Sequence, residues 1–431
     1  MTKRVLIITY YWPPSAGGGV MRWLKMSKYF PDQGWFPIIY TPENPDSSVD
    51  DDSLLQEIHP DITVIKHPIW EPYNIYRSLI GEKKGTKFKA GYVSEASSGS
   101  FKSRLSVFIR GNLLIPDPRK FWIKPSIRYL SKYLEKNPVD SIISTGPPHS
   151  MHLIALGLRK KFPKLRWIAD FRDPWTRIDF YDKLRLTKGA DKKHKKLEKE
   201  VLSVADRVVT VSPNWRDDFV NIGGRDIDLV YNGFDHTDFE NLESCDNQQF
   251  TISHFGSFNK DRNPESLWIA LGELIHEIPL FKKYLSIQLI GQIDETIIQS
   301  ITDSGLKDFL ICIDFMPHDE GVSLLKQSQI LLLPINNAPN AMGILPGKMY
   351  EYMALNRPIL AIGPINSDSA RIIMETNTGV CRDFDDVKGI KESLISYYED
   401  FKAGDLKVNS NSYEKYSRKN QAINFVSLLN S

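Results

Sequence analysis

The chain has 431 residues, and 55 lysines and arginines stand against 53 aspartates and glutamates, a formal net charge of +2. Such a length holds core enough for two or three domains, and 41% hydrophobic with 25% charged residues excludes the disordered, collagen-like and coiled-coil classes. A dedicated nucleic-acid binder carries a strong basic excess that this chain lacks, so nucleic acid is not an expected partner.

In chain order, residues 5–9 read as a buried strand, followed by a glycine-rich turn and a helix over about 20–30. Residues 37–41, 62–67, 139–144, 165–170, 207–212 and 228–231 continue the strand series, with helical patterns such as 151–162 and 195–205 between them. Unbroken Val/Ile/Leu runs, rather than alternation, mark strands covered on both faces, which is the pattern of a parallel sheet. The pattern then restarts, with strands expected at 250–255, 285–290, 309–313, 330–333 and 358–362. The polar, acidic stretch 232–249 separates the two series. This gives an N-terminal domain over 1–235, a C-terminal domain over 250–410, each the size of one doubly wound α/β domain, and a terminal helix over 411–431.

Two basic runs stand out in the first domain. Residues 81–114 hold seven lysines and arginines against two acids, interleaved with Phe88, Phe101, Leu105, Phe108 and Ile109. Residues 183–199 hold eight against two. Each reads either as a solvated surface segment or as a contact with an anionic membrane surface, where a basic residue contributes about 1 kcal/mol. Cys245, Cys312 and Cys381 lie far apart, with no CxxC and no Cys/His cluster, so neither a disulfide framework nor a structural metal is expected. The opening apolar run is too short for a signal peptide, and no stretch approaches the roughly 20 apolar residues of a membrane span. A cytoplasmic protein, either free or peripheral on the inner face of the membrane, is the expectation.

Parallel sheets bind ligands at the carboxyl ends of their strands, so the chemistry belongs in those loops. After the first strand, Gly17, Gly18 and Gly19 precede a helix and leave amides open to an anion. The spacing is not GxGxxG, which excludes the nicotinamide fingerprint. In the second domain Gly256 ends a strand, with Lys260 and Arg262 before the helix that Asn263-Pro264-Glu265 opens; an arginine there can clamp a phosphate. The most informative stretch is ILLLPINNAPNAMGILPGKMYEYMALNRPILAIGP. Gly343, Ile344 and Leu345 offer amides before a helix opening near Pro346-Gly347-Lys348. Lys348 adds positive charge there, and Glu351 sits one turn in, as either a ribose-binding carboxylate or a dipole-favouring one. It is not a Walker A loop, because no Ser or Thr follows Lys348.

With these motifs in place, most of the chain, from MTKRVLIITYYWPPSAGGGVMR to PGKMYEYMALNRPILAIGP, resembles the retaining glycosyltransferase family 4, whose GT-B architecture sets two Rossmann-like domains facing a central cleft. The resemblance implies transfer of a sugar from a nucleotide-sugar donor, with retention and without metal or other cofactor. The acceptor would be a saccharide or lipid-linked one, as in surface polysaccharide synthesis. By the same resemblance Glu351 holds the nucleotide ribose, Arg262 with Lys260 or Lys348 neutralises the donor diphosphate, Gly17–Gly19 approach the donor phosphates and sugar, and Gly343–Leu345 meet the donor sugar and phosphate. Two positions depart from the family pattern. Gly343 stands where a second glutamate is usual, eight residues before Glu351. Arg172, beside Asp170 and Asp173 in WIADFRDPW, stands about where a histidine is usual. His149, Asp170 and Arg172 are therefore the candidates for catalysis in the donor-sugar pocket. A nucleotide-sugar epimerase and a catalytically silent binding subunit are the alternatives that these departures leave open.

Overall fold

The structure, a computed structural model of the chain, describes residues 2–46, 50–72, 101–240, 242, 248–314 and 316–431, and of 101–103 only the backbone. The chain divides into two units, one of residues Met1–Asn232 with Arg418–Ser431, the other of Gly233–Ser417.

The first unit runs β1 (Lys3–Ile8), α1 (Gly18–Ser27), β2 (Trp35–Pro42), β3 (Thr63–His67), α2 (Phe101–Asn112), α3 (Lys120–Lys136), β4 (Ser141–Gly146), α4 (Ser150–Lys161), β5 (Arg166–Phe171), α5 (Lys188–Val204), β6 (Arg207–Thr210), α6 (Pro213–Ile222) and β7 (Ile227–Leu229). Its seven strands form one sheet in the order β3-β2-β1-β4-β5-β6-β7, every pair parallel. The second unit runs β8 (Phe250–Phe255), α7 (Glu265–Glu277), α8 (Pro279–Tyr284), β9 (Leu285–Ile290), α9 (Glu295–Asp303), β10 (Leu310–Ile313), α10 (His318–Lys326), β11 (Ile330–Pro334), α11 (Gly347–Ala354), β12 (Ile359–Ile362), α12 (Asp368–Glu375), β13 (Gly379–Arg382) and α13 (Val387–Ala403). Its six-stranded sheet has the order β10-β9-β8-β11-β12-β13 and is again all parallel. In each sheet the strand order reverses beside the first strand, between β1 and β4 and between β8 and β11. That is where a doubly wound sheet opens a crevice for a ligand.

The cores follow from the apolar runs. One face of the first sheet gives Val5, Ile7, Ile39, Ile143, Ile168 and Val209 to a core shared with Trp23 and Leu24 of α1. In the second unit Phe250, Ile252, Ile287, Leu289 and Leu332 pack on Leu267, Trp268 and Leu271 of α7 and on Ile390 and Leu394 of α13. The last helix, α14 (Arg418–Asn430), belongs to the first unit, where Ala422, Phe425, Val426 and Leu429 are buried in its core. The Phe425 ring meets Trp23 edge-on at 5.1 Å.

Some local details differ from the sequence expectation. The terminal helix starts at Arg418 rather than 411; residues Tyr413–Tyr416 form a separate 3-10 turn. Strand β13 has no forecast, because its four residues, GVCR, are half-buried at the sheet edge and form no apolar run. The basic stretch 81–114 is described only from 101, where it forms α2; residues 81–100, with Phe88, lie outside the described residues, as does Cys245. The run at 183–199 is mostly α5, with Lys188, Lys192, Lys193, Lys195, Lys196 and Lys199 exposed, while Ala190, His194, Glu198, Val201 and Leu202 turn inward. Among the described residues no helix is long and apolar enough to cross a membrane, and no cluster of His, Cys, Asp and Glu is arranged to hold a metal.

Truncating a fully buried aromatic ring costs about 3–5 kcal/mol. Phe425→Ala should therefore lower the urea midpoint of the transition that reports the first unit; an unchanged midpoint would mean that α14 is not part of that core.

Candidate active site

In the first unit the site is built from the loops after β1, β4 and β5. Gly17 has φ 106° and caps α1, so its conformation favours glycine. Gly19 is constrained by neighbours instead, since a Cβ there would lie 2.8 Å from the Tyr11 ring and 2.9 Å from the Arg172 guanidinium. The first-turn amides of α1, at Gly18 and Gly19, have no acceptor within the helix, as in any helix start. Arg172 holds this loop in place. It donates from Nη1 to the Gly19 carbonyl at 3.0 Å and from Nη2 to the Pro147 carbonyl, while its guanidinium lies over the Tyr11 ring at 5.4 Å. Asp173 is a looser neighbour, 3.9 Å from Nε. Arg172 thus bridges the loops after β1 and β4.

Asp170 departs from the expectation of a catalytic group. It is fully buried and accepts from Arg22 Nη2 at 2.7 Å and Arg22 Nε at 3.1 Å, from Trp23 Nε1 at 2.9 Å and from Thr145 Oγ1 at 2.8 Å. Burial alone would raise its carboxyl pKa, but the Arg22 charge and these hydrogen bonds hold it below the usual value. Its acceptor capacity is committed to the interior, so Asp170 organises the site rather than touching a ligand. His149 is also buried, with its ring stacked on Trp175 at 4.8 Å and 2°. Burial, with His152 and Arg172 nearby, lowers its pKa well below the ordinary histidine value, so it stays neutral at pH 7.

In the second unit the site forms at the ends of β8 and β11. Gly256 has φ 103°, and a Cβ there would sit 3.2 Å from Lys348 Nζ. That close approach gives Lys348 two acceptors at the end of β8, the Phe255 carbonyl at 2.6 Å and His254 Nε2 at 3.2 Å. His254 Nδ1 lies 3.1 Å from the Leu332 carbonyl, so Nδ1 carries the proton and Nε2 accepts from the lysine. Arg262 donates to Asn336 Oδ1 and, at 3.3 Å, to the Ser257 carbonyl. Burial and the Arg262 charge together push the Lys348 pKa down to about 7, against the pull of Glu351. Of the two lysines expected here, the structure brings Lys348 to the cluster and leaves Lys260 exposed on the 3-10 turn Lys260–Arg262.

Helix α11 begins at Gly347, so the Gly347 and Lys348 amides face out of its N-terminus. Glu351 lies one turn in, 3.4 Å from His318 Nε2 at the start of α10. For Gly343 and Ile344 the expectation needs correction, because the Gly343 amide donates to Asn340 O at 3.1 Å and the Ile344 amide to Ala341 O at 3.3 Å. Both are spent in a 3-10 turn, and the Ile344 carbonyl accepts from Ser369 Oγ at 2.6 Å. Two participants had no forecast, His254 and His318. Each is a lone histidine whose partner lies more than 30 residues away in sequence.

The comparisons bear on this geometry. The model for Glycosyltransferase Family 4 matches residues 92–238. The match covers about a third of the chain. With that match the chain is a glycosyltransferase. No curated protein sequence matches it. Among solved structures, sucrose-phosphate synthase from Thermosynechococcus elongatus is 14% identical at a TM-score of 0.66, covering 99% of this chain and 98% of that one. A Staphylococcus aureus TarM variant in complex with UDP, alpha-GlcNAc-glycerol and fondaparinux is 12% identical at 0.62, covering both chains fully at 100%. An alpha,alpha-trehalose-phosphate synthase (UDP-forming) from Burkholderia vietnamiensis is 11% identical at 0.59, covering 100% and 97%. At such identities the likeness speaks for the fold, which is GT-B with two Rossmann-like domains.

Two outcomes follow for the glycosyltransferase. Asp170→Asn strands the buried Arg22 charge, and breaking a buried pair in this way costs about 3–5 kcal/mol; chemical denaturation should show that loss, and a loss below about 1 kcal/mol would make the pair dispensable. Lys348 is charged below its pKa of about 7 and neutral above it. A bound diphosphate favours the charged form, so affinity for a nucleoside diphosphate should fall as pH rises through 7, by up to about tenfold per unit. Calorimetry should record proton uptake on binding at pH 7.5 in the wild type and none in Lys348→Met.

Proposed function

We propose that this glycosyltransferase moves a sugar, with retention, from a nucleotide-sugar to a saccharide or lipid-linked acceptor, in surface polysaccharide synthesis at a membrane. One observation carries the donor half of this reading. Lys348, Arg262 and the open amides of α11 converge at Gly256, on the strand-order reversal of the second sheet, with Glu351 one turn along the same helix.

The chemistry asks for that combination. As the glycosidic bond breaks, the leaving nucleoside diphosphate gains negative charge. Arg262, Lys348 and the helix N-terminus stabilise that charge more in the transition state than in the bound donor, which is what lowers the barrier. Glu351 accepts from ribose hydroxyls, and His318 orients the carboxylate at 3.4 Å. In the first unit the amides of Gly18 and Gly19, in the loop held by Arg172, offer an anion the same kind of helix N-terminus. The UDP bound to the TarM variant and the UDP formed by the trehalose-phosphate synthase support a nucleoside diphosphate as leaving group. A membrane-bound acceptor is favoured by the six exposed lysines of α5.

The test is donor binding. A hydrogen bond to a charged group is worth about 1.5–3 kcal/mol, so Glu351→Ala should weaken nucleotide-sugar binding by that much per ribose hydroxyl released, measured by calorimetry. Unchanged affinity removes the ribose assignment. Nucleoside diphosphate released only when acceptor is present separates transfer from epimerisation, which isomerises the donor, and from a silent subunit, which does neither.

A further inference from the structure

The first unit contains a cavity of about 260 Å3 beside the carboxyl ends of β1, β4 and β5, walled by Tyr11, His149, Trp175 and Phe180, with Ile178 and Arg110 among its other lining residues. Its walls present mostly ring faces, and most of their polar atoms are satisfied elsewhere, His149 Nδ1 being an exception. Trp175 Nε1 donates to His194 Nδ1 at 3.0 Å, and His194 Nε2 in turn donates to the Gly111 carbonyl at 3.2 Å. Tyr181 donates to Asp191 at 3.1 Å. Asp117 accepts from the Ser150 amide at 2.8 Å, the Ser150 hydroxyl at 2.9 Å and the Arg119 amide at 2.9 Å. Arg119 is paired with Glu71 at 3.0 Å. Arg110 is different. It lies over the Phe180 ring at 5.9 Å and has no ion pair among the described residues. The cavity therefore offers a largely aromatic interior and one guanidinium with no ion pair among the described residues.

The surface next to it has the same character. On α2, the segment after it and the first turn of α3, Leu105, Phe108, Leu113 and Phe121 are exposed, and Trp70 sets its ring edge-on to Phe121 at 4.9 Å. Arg104, Lys124 and Arg128 are exposed on the same two helices. Exposed apolar side chains interspersed with basic ones match the boundary of an anionic bilayer, where apolar groups enter the acyl region and cations meet the headgroups.

We propose that the cavity takes the apolar stem of a lipid-phosphate-linked acceptor, with Arg110 on the phosphate. This rests on the lipid-linked branch of the proposed function. A sugar ring would bring several hydroxyls against walls made mostly of ring faces, with few uncommitted polar atoms to meet them, and burying hydroxyls without partners is costly. A hydrocarbon chain brings none. An arginine without a carboxylate partner suits a phosphate at the cavity mouth, where it binds in a bidentate manner.

Calorimetric titration of the full chain with geranyl phosphate, geraniol, inorganic phosphate and a methyl glycoside tests the assignment. Saturable binding of geranyl phosphate is expected. Arg110→Ala should weaken it about tenfold or more and leave geraniol unchanged, while Ile178→Trp, which fills the cavity, should weaken both. The assignment is overturned if neither variant changes geranyl phosphate binding, if inorganic phosphate alone binds as well, or if only the methyl glycoside binds and Ile178→Trp abolishes it. Thermal stabilisation by a nucleoside diphosphate, read on the same samples, shows that each variant is folded. A retained nucleotide response without geranyl phosphate binding defeats the cavity assignment and leaves the transfer reaction standing; a wild type that binds geranyl phosphate but no nucleotide defeats the transfer reading instead.

Discussion

The first unit depends on one buried ion pair. Arg22 and Asp170 meet at 2.7 Å with no exposure of either side chain, and the pair joins segments far apart in sequence. Arg22 also donates to the carbonyls of Val230 and Tyr231, at 3.1 and 3.0 Å, just before the chain leaves the unit after Asn232. Charges taken out of water are tolerated only when every remaining hydrogen-bonding position is filled, and here Trp23 and Thr145 fill those on the aspartate. The consequence is positional. With α1 locked to the end of β5, the glycine loop at the start of α1 and the Arg172 loop just after Asp170 come to one place.

The second unit manages charge in the opposite way. Its site gathers positive groups without burying a matching negative one. His254 is kept neutral by burial and by the lysine beside it, so it serves as an acceptor and not as a competing cation. Lys348 sits at a pKa near 7 because burial and Arg262 both oppose its charge. Like charges held together in this manner are relieved by an anion, and the helix N-terminus beside them adds to the same field. In the first unit, by contrast, the buried charges of Arg22 and Asp170 balance each other, and Arg110 has no ion pair among the described residues.

Much of this was legible from local patterns. The unbroken apolar runs located twelve of the thirteen strands described here to within two residues at each end, because a strand buried on both faces must be apolar throughout. The edge strand β13 escaped for the same reason in reverse. The glycine loop and the start of α11 were legible too, since a helix N-terminus and a positive φ each demand particular residues. Asp170 was misread because DFRDP looks like a polar site loop, and nothing nearby in sequence announces that Arg22, almost 150 residues earlier, claims its carboxylate. The amides of Gly343 and Ile344 were misread because a 3-10 turn that consumes them leaves little trace in composition.

The sequence by itself determined the class of architecture, the two parallel sheets and their loops, because period, apolar runs and turn residues are local properties. It also made the residue types of the candidate site legible, since Lys348 and Glu351 share one short helix and their spacing is part of the sequence. Only the tertiary structure decided which polar groups are free to act. Whether Asp170 faces a ligand or an arginine, whether Lys348 or Lys260 joins Arg262, and whether the rings after β5 enclose a cavity all depend on contacts between residues distant in the chain. In a low-dielectric interior such contacts set both the charge and the availability of a group.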